Sequence, residues 1–360
     1  MRKAYKYRLY PTKEQREKIQ FTLERCRLLY NRLLGERRFA YEADKTTLNY
    51  YDQANTLNER KKYIPVLKQV HSQVLQDVVK RLDKAFQAFF RRVKAGETPG
   101  YPRFKSAGRY DSFTYPQGGY SLNGNKLKLS KIGEVKIKLH RQPQGKIKTC
   151  TVILKNGKYY ACLSCEMESN SLRKTEKTVG IDLGVKHLAI TSDGTFFEHP
   201  KFLRESERKL HRKQRSVSHK KKGSVRRCKA VRELARLHER IANQRKDYAH
   251  KVSRQLVSQY GLIAFENLNV QGMVKNHHLA KSIVDASWNQ LIQYTTYKAE
   301  EAGRRVVLVD PKNTSQLCSN CGEIVPKKLS ERMHQCDHCG YVQDRDINAA
   351  QNILKRALAG

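Results

Sequence analysis

The chain has 360 residues, enough for two or three domains with cores of their own, and its 39% apolar content excludes a disordered polymer. Lys and Arg number 72 against 34 Asp and Glu, a net charge of +38, and so large a charge opposes compaction unless a polyanion neutralises it. Nucleic acid is therefore the expected partner. No apolar run reaches the roughly 18 residues of a membrane span and no leader opens the chain, so it reads as soluble and intracellular.

Residues 1–10 alternate basic and aromatic side chains as a short strand does. Pro11 then opens a helix, with Thr12 and Gln15 spaced as a capping box and Ile19, Leu23, Cys26, Leu29 and Leu33 at helical intervals. A second helix is expected over 70–93, with Val74, Val78, Leu82, Phe86, Phe89 and Phe90 on the face turned to the core. Another side of that helix carries Ser72 and Gln76, one turn apart and of types that suit base edges. A Gly/Pro-rich boundary follows at 96–105, and its Arg103 and Lys105 are candidate nucleic-acid contacts. Short alternating strands are expected at 126–129, 134–139, 147–155 and 158–167, with Asn156-Gly157 as a hairpin turn. They describe a mostly antiparallel barrel or sheet to which residues 1–10 can add a strand.

Residues 178–191 read as strand, Gly turn at Gly184, strand, with Asp182 in the middle of the first apolar run. A carboxylate left unpaired in such a run is costly and is normally paired, protonated or metal-bound. From 200 to 260 the chain becomes helical and strongly basic, split near Gly223, with Lys220, Lys221 and Lys222 at the split as candidate phosphate contacts and Val231, Leu234, Leu237 and Ile241 as the packed stripe. Residues 261–269 repeat the earlier pattern, a short apolar strand ending in Glu266. A helix at 288–302 and a strand at 304–309 complete an α/β alternation.

The nine cysteines include two C-x-x-C-G knuckles, Cys318/Cys321 and Cys336/Cys339. Four thiolates at that spacing suit one closed, tetrahedral structural zinc, which leaves His338 outside the ligand set. Cys162 and Cys165 share the spacing but fall in an alternating strand, where residues three apart face opposite ways, and they read as packing. Directly after the second knuckle, Asp344 and Asp346 begin a helix with Ile347, Ala350, Ile353 and Leu354 on its apolar face. An acid there also complements the helix dipole, which is the plain reading of Asp344. Three carboxylate positions far apart in sequence, each beside an apolar element, are what two-metal phosphodiester hydrolysis requires.

Gly180-Ile-Asp-Leu-Gly184, Phe265-Glu-Asn-Leu268, the paired knuckles and the run from Asp344 to Leu354 resemble the TnpB family of insertion-sequence proteins, as do Tyr7-Arg-Leu-Tyr-Pro-Thr12 and Gly100-Tyr-Pro-Arg-Phe-Lys105. The resemblance implies a multidomain α/β protein: a wedge-like β-barrel (1–10 and 96–175), a helical recognition module (11–95), an RNase H-like RuvC nuclease domain (176–315 and 341–360) and a zinc ribbon (316–340). It implies catalysis by Asp182, Glu266 and Asp346 with two Mg2+, one structural Zn2+, a guide RNA from the transposon end, and cleavage of double-stranded DNA beside a short flanking motif. Asp346 is preferred to Asp344 because it precedes the x-Asn-Ala-Ala run. The compartment implied is a prokaryotic cytoplasm, at the nucleoid. A guide-free resolvase and a nuclease-inactive RNA-guided regulator are the rival readings.

Overall fold

Tyr5, Tyr7 and Leu9 are buried while their neighbours face outward, and in the computed structural model residues 2–10 form strand β1 (Arg2–Tyr10). The structure describes residues 1–168, 171–328 and 331–359. They divide into two units, Met1–Glu168 and Ser169–Gly360.

In the first unit β1 leads into helix α1 (Lys13–Asp44), and the Thr12 hydroxyl and Gln15 amide cap each other's backbone as the sequence predicts. Two short helices, α2 (Tyr50–Asn55) and α3 (Leu57–Tyr63), and a single 3-10 turn at Pro65–Gln69 were not legible in the sequence. Helix α4 (Ser72–Lys94) packs on α1, burying Val74, Val78, Leu82 and Phe86. Phe90 departs from its expected core position: it is 50% exposed, because the stripe drifts off the buried face in the helix's last turns. Six further strands follow: β2 (Ser112–Tyr115), β3 (Tyr120–Asn123), β4 (Lys126–Leu129), β5 (Gly133–Lys138), β6 (Lys146–Lys155) and β7 (Lys158–Glu166). All pairs are antiparallel, in the order β2-β6-β7-β1-β5-β4-β3, so β1 sits at the centre of a sheet otherwise built from the far side of the helices. Asn156 and Gly157 both have positive φ, 51° and 73°, which is the turn geometry that joins β6 to β7 without splaying them. The sheet curls strongly, since the Tyr120 hydroxyl on edge strand β3 reaches the Ile147 carbonyl on β6.

The second unit holds a five-stranded mixed sheet built from β8 (Thr178–Asp182), β9 (His187–Thr191), β10 (Phe196–Glu198), β11 (Leu262–Glu266) and β12 (Arg305–Val309), in the order β10-β9-β8-β11-β12. The first three strands run antiparallel and the last three parallel, with β8 common to both sets. Asp182 closes β8 instead of lying mid-run, which sets its carboxylate at the strand's C-terminal mouth. Gly184 is not among the glycines of positive φ; the link to β9 is an open loop whose Gly184 carbonyl accepts the Trp288 indole N–H at 3.3 Å. The basic hairpin is α5 (Phe202–Ser218) and α6 (Val225–Gln259), with Ile241 buried but Val231 45% exposed, because the tip of the hairpin has nothing further to pack on. Helices α7 (Val270–Met273), α8 (His277–Ala286) and α9 (Trp288–Ala302) precede β12. A two-stranded ribbon, β13 (Met333–Gln335) and β14 (Val342–Asp344), then leads into α10 (Arg345–Ala359). No helix among the described residues is long and apolar enough to cross a membrane.

Candidate active site and metal centre

Gly180 determines how the elements bearing acids meet. A Cβ there would lie 2.0 Å from the Ala350 carbonyl oxygen and 2.6 Å from the Leu354 nitrogen, so α10 lies backbone against backbone on β8. Asp182 is two residues beyond that contact and Asp346 one helical turn before it. Strand β11, parallel to β8, delivers Glu266 at the same end.

The electrostatics record the convergence. Asp182 keeps some exposed surface as a residue, but its carboxyl is enclosed by protein atoms, and burial pushes its pKa well above the usual carboxylate range. The negative charges of Glu266 and Asp346 raise it further, against smaller opposing effects from Arg345 and the Leu183 N–H. Glu266 is 5% exposed and also raised, first by burial, with the Thr314 hydroxyl and Arg356 acting in the other direction. Thr314, itself buried, donates its hydroxyl to Glu266 Oε1. Asp346 lies 3.3 Å from Arg345 Nε and 3.9 Å from Arg332 Nη1. Asp344 has a different environment. Its Oδ1 accepts the N–H groups of Asp346 and Ile347 at 2.9 and 3.2 Å, which occupies it as the cap of α10.

The four knuckle sulfurs lie within 4.8 Å of one another, with Cys318–Cys339 at 3.7 Å and Cys321–Cys336 at 3.6 Å. Four sulfurs about 2.3 Å from one zinc form a tetrahedron with edges of about 3.8 Å, which these two separations approach. The knuckle is tied to α10 by buried amides that sequence reading missed: Asn348 Oδ1 accepts the Ser319 N–H at 2.8 Å, and Asn352 Nδ2 donates to the Thr314 and Leu317 carbonyls at 2.9 and 2.7 Å. One helix thus carries Asp346 at its start and, a turn or two later, the groups that grip the cysteine loop and Thr314. The signal was two asparagines on the inward side of a helix, and burial of an amide calls for a partner.

The candidate nucleic-acid residues fall in several places. Ser72 is the first residue of α4 and its hydroxyl accepts from Lys61 Nζ at 2.7 Å, while Gln76 is exposed on the same helix. Arg103 is exposed, but Lys105 is held through its backbone by Asn31 and Arg27 and its ammonium sits 5.6 Å from the centre of the Tyr30 ring. Lys220 donates to Ser216 at 2.8 and 2.7 Å, which leaves Lys221 and Lys222 as the outward pair. Cys165 is buried in β7 and Cys162 partly so, as packing residues would be.

Three family models match the chain: a "Probable transposase" model over residues 162–277, a "Cas12f1-like, TNB domain" over 288–353, and a "Helix-turn-helix domain" over 1–46. The last segment folds here as a strand and one long helix. A Streptomyces pristinaespiralis protein named "Putative RNA-guided DNA endonuclease" is 36% identical over all of this chain and 90% of its own length. An Escherichia coli K12 protein, "Putative RNA-guided DNA endonuclease InsQ", is 34% identical over 98% of this chain and 91% of its own. Among solved structures, one described as the mini-RNA-guided endonuclease CRISPR-Cas_phi3 aligns over 99% of this chain and 92% of its own with a TM-score of 0.51 at 8% identity, a likeness of fold. Kinship at this level along the whole length establishes that the chain belongs to the TnpB family.

Proposed function

We propose that this protein is an RNA-guided, Mg2+-dependent endonuclease that cuts double-stranded DNA beside a short flanking motif. The observation that carries the reading is the convergence of three acids: Asp182 and Glu266 from the C-terminal ends of parallel strands, and Asp346 from the start of α10, with Asp182 raised first by burial and then by the charges of the other two. The strand order, three antiparallel and then two parallel to the first, is that of an RNase H-like sheet and supports a RuvC-type nuclease domain. The names of the full-length relatives support guidance by RNA.

Carboxylate oxygens are the donors that hard cations take, so Asp182, Glu266 and Asp346 would hold two Mg2+, and the four cysteines one Zn2+. Bound there, Mg2+ would supply Lewis-acid activation of water and charge stabilisation at the leaving oxygen of a phosphodiester. The chain's own groups supply orientation. Thr314 fixes one oxygen of Glu266 and leaves the other for a metal, and its carbonyl is in turn held by Asn352. Arg345 and Arg332 neutralise Asp346 where metal is absent. The curled sheet and helical module of the first unit would serve as the wedge and recognition parts, with Gln76 reading the flanking motif.

The test is to purify the chain with the RNA it retains, sequence that RNA, and supply plasmid targets matched to it with randomised flanks. Mg2+-dependent cutting next to one enriched motif, lost in Asp182→Ala, is the expected result. No retained RNA, or cutting that ignores the RNA sequence, would reject the reading in favour of a guide-free nuclease.

A further inference from the structure

The helical module contains a cleft with no part in the chemistry proposed above. Helix α1 contributes Arg37 and Tyr41, α4 contributes Phe86, Phe89 and Phe90, and Tyr101 closes the far side around a cavity of about 220 Å3. The rings meet edge to face, Phe86 with Tyr101 at 86° and Phe89 with Tyr101 at 79°, so their interlocked edges stiffen the wall. At the mouth, Phe90 is 50% exposed, Tyr41 55% and Tyr101 45%. Contiguous exposed apolar groups with a polar rim mark interaction surfaces.

Cations surround these rings. The Arg37 guanidinium lies 5.0 Å from the Phe86 ring centre, and Lys45 Nζ lies 5.2 Å from that of Tyr41. The Arg92 guanidinium comes beside Gly100, next to Tyr101, and Arg91 and Lys94 are exposed on the same helix end. Of the nearby acids, Asp83 pairs with Arg37 at 3.1 Å and Glu42 with Arg38 at 2.7 Å, Asp44 accepts the Thr46 N–H at 3.0 Å, and Glu97 is exposed. Aromatic faces ringed by cations are how proteins hold unpaired bases on a phosphate backbone.

We propose that this cleft captures one unpaired nucleobase of a polynucleotide strand, stacked on Phe90 and Tyr101, with the adjoining phosphates against Lys45 and Arg92. The proposal rests on the proposed function only in taking a polynucleotide as partner. The source is either the guide RNA or a displaced DNA strand.

The test uses the full chain and fluorescein-labelled oligouridine of roughly twelve nucleotides carrying one 4-thiouridine, at about 0.3 M salt so that plain charge attraction is reduced. Matching oligothymidine with 4-thiothymidine and a DNA duplex are the other arms. Phe90→Ala and Tyr101→Ala should each weaken single-strand binding about tenfold, Phe90→Trp should retain it, and duplex binding should stay unchanged. Photo-crosslinks should fall in residues 86–101, and whichever strand type binds tighter identifies the source. Unaltered affinity in both alanine variants, full binding by Phe90→Leu, or crosslinks confined to other segments would each overturn the proposal. Phe90 is exposed, so these variants are expected to fold. Because the readout needs no cleavage, a wild type that binds as described but cuts nothing would remove the nuclease reading and leave the cleft standing.

Discussion

One buried charge in the first unit and the acids at the sheet end of the second have different partners. In the first unit the buried Arg37 is satisfied by Gln53 at 2.8 Å and Asp83 at 3.1 Å, and the seven-stranded sheet encloses a core of Tyr, Leu, Ile and Val. In the second, the mouth of the five-stranded sheet gathers acids whose nearest charged neighbours include one another. A fold optimised for stability alone would pair or exclude such groups. Like charge gathered at one sheet end is the ground on which the chemistry is proposed for the second unit.

If that division is right, the largest effect belongs to the acids. Asp182→Asn and Glu266→Gln should each lower cleavage by more than about 10³-fold while RNA and target binding change by less than about twofold, because the proposed role of the acids is to hold metal and not nucleic-acid backbone. Electrophoretic binding assays beside cleavage assays measure both; parallel loss of binding would erase the distinction between the units. Cys318→Ser should come next. It removes zinc by elemental analysis, and since Asn348 and Asn352 couple the knuckle to α10, cleavage should fall at least about tenfold together with folded yield. A zinc-free wild type of full activity would contradict this.

Gly180→Ala sharpens the geometric part of the argument without touching a charge. The new methyl must push α10 off β8, at a cost of about 1–3 kcal/mol in stability, and displacing Asp346 by about 1 Å should cost on the order of 100-fold in rate. A smaller effect concerns protonation. Asp182 has a raised pKa when folded, so its contribution declines as pH climbs from the ordinary carboxylate range through the raised value, and the metal-free protein is destabilised at neutral pH. Asp182→Asn should therefore melt a few degrees higher than wild type in chelator at neutral pH, lose that advantage near pH 4, and gain less from added Mg2+. The smallest effect is expected at the basic hairpin, where Lys222→Ala should weaken binding to all sequences alike and reduce the salt slope by about one.

Much of this was legible where local rules decide. Thr12 with Gln15, Asn156-Gly157, the helix from Trp288 to Ala302 and the four knuckle cysteines are each specified by neighbours within a few residues. Helices α2, α3, α7 and α8 and strands β2, β3, β10, β13 and β14 are not legible in the sequence, because elements so short are held by packing and not by propensity. The Thr314–Glu266 bond and the seat of α10 on Gly180 join residues 48 and 170 apart or more, and no local pattern announces such a meeting. Phe90 reads as core in the sequence because helical period alone cannot tell where the partner surface ends.

The most direct test of the central claim separates two acids that are two residues apart. Wild type, Asp344→Asn and Asp346→Asn, each loaded with the RNA that co-purifies, are compared on a matched supercoiled plasmid in Mg2+. Asp346→Asn should abolish cutting, while Asp344→Asn, which loses only charge from a helix cap, should cut within about tenfold of wild type at the cost of roughly 1 kcal/mol in stability. Cutting by Asp346→Asn at near wild-type rates, with Asp344→Asn inactive, would contradict the account.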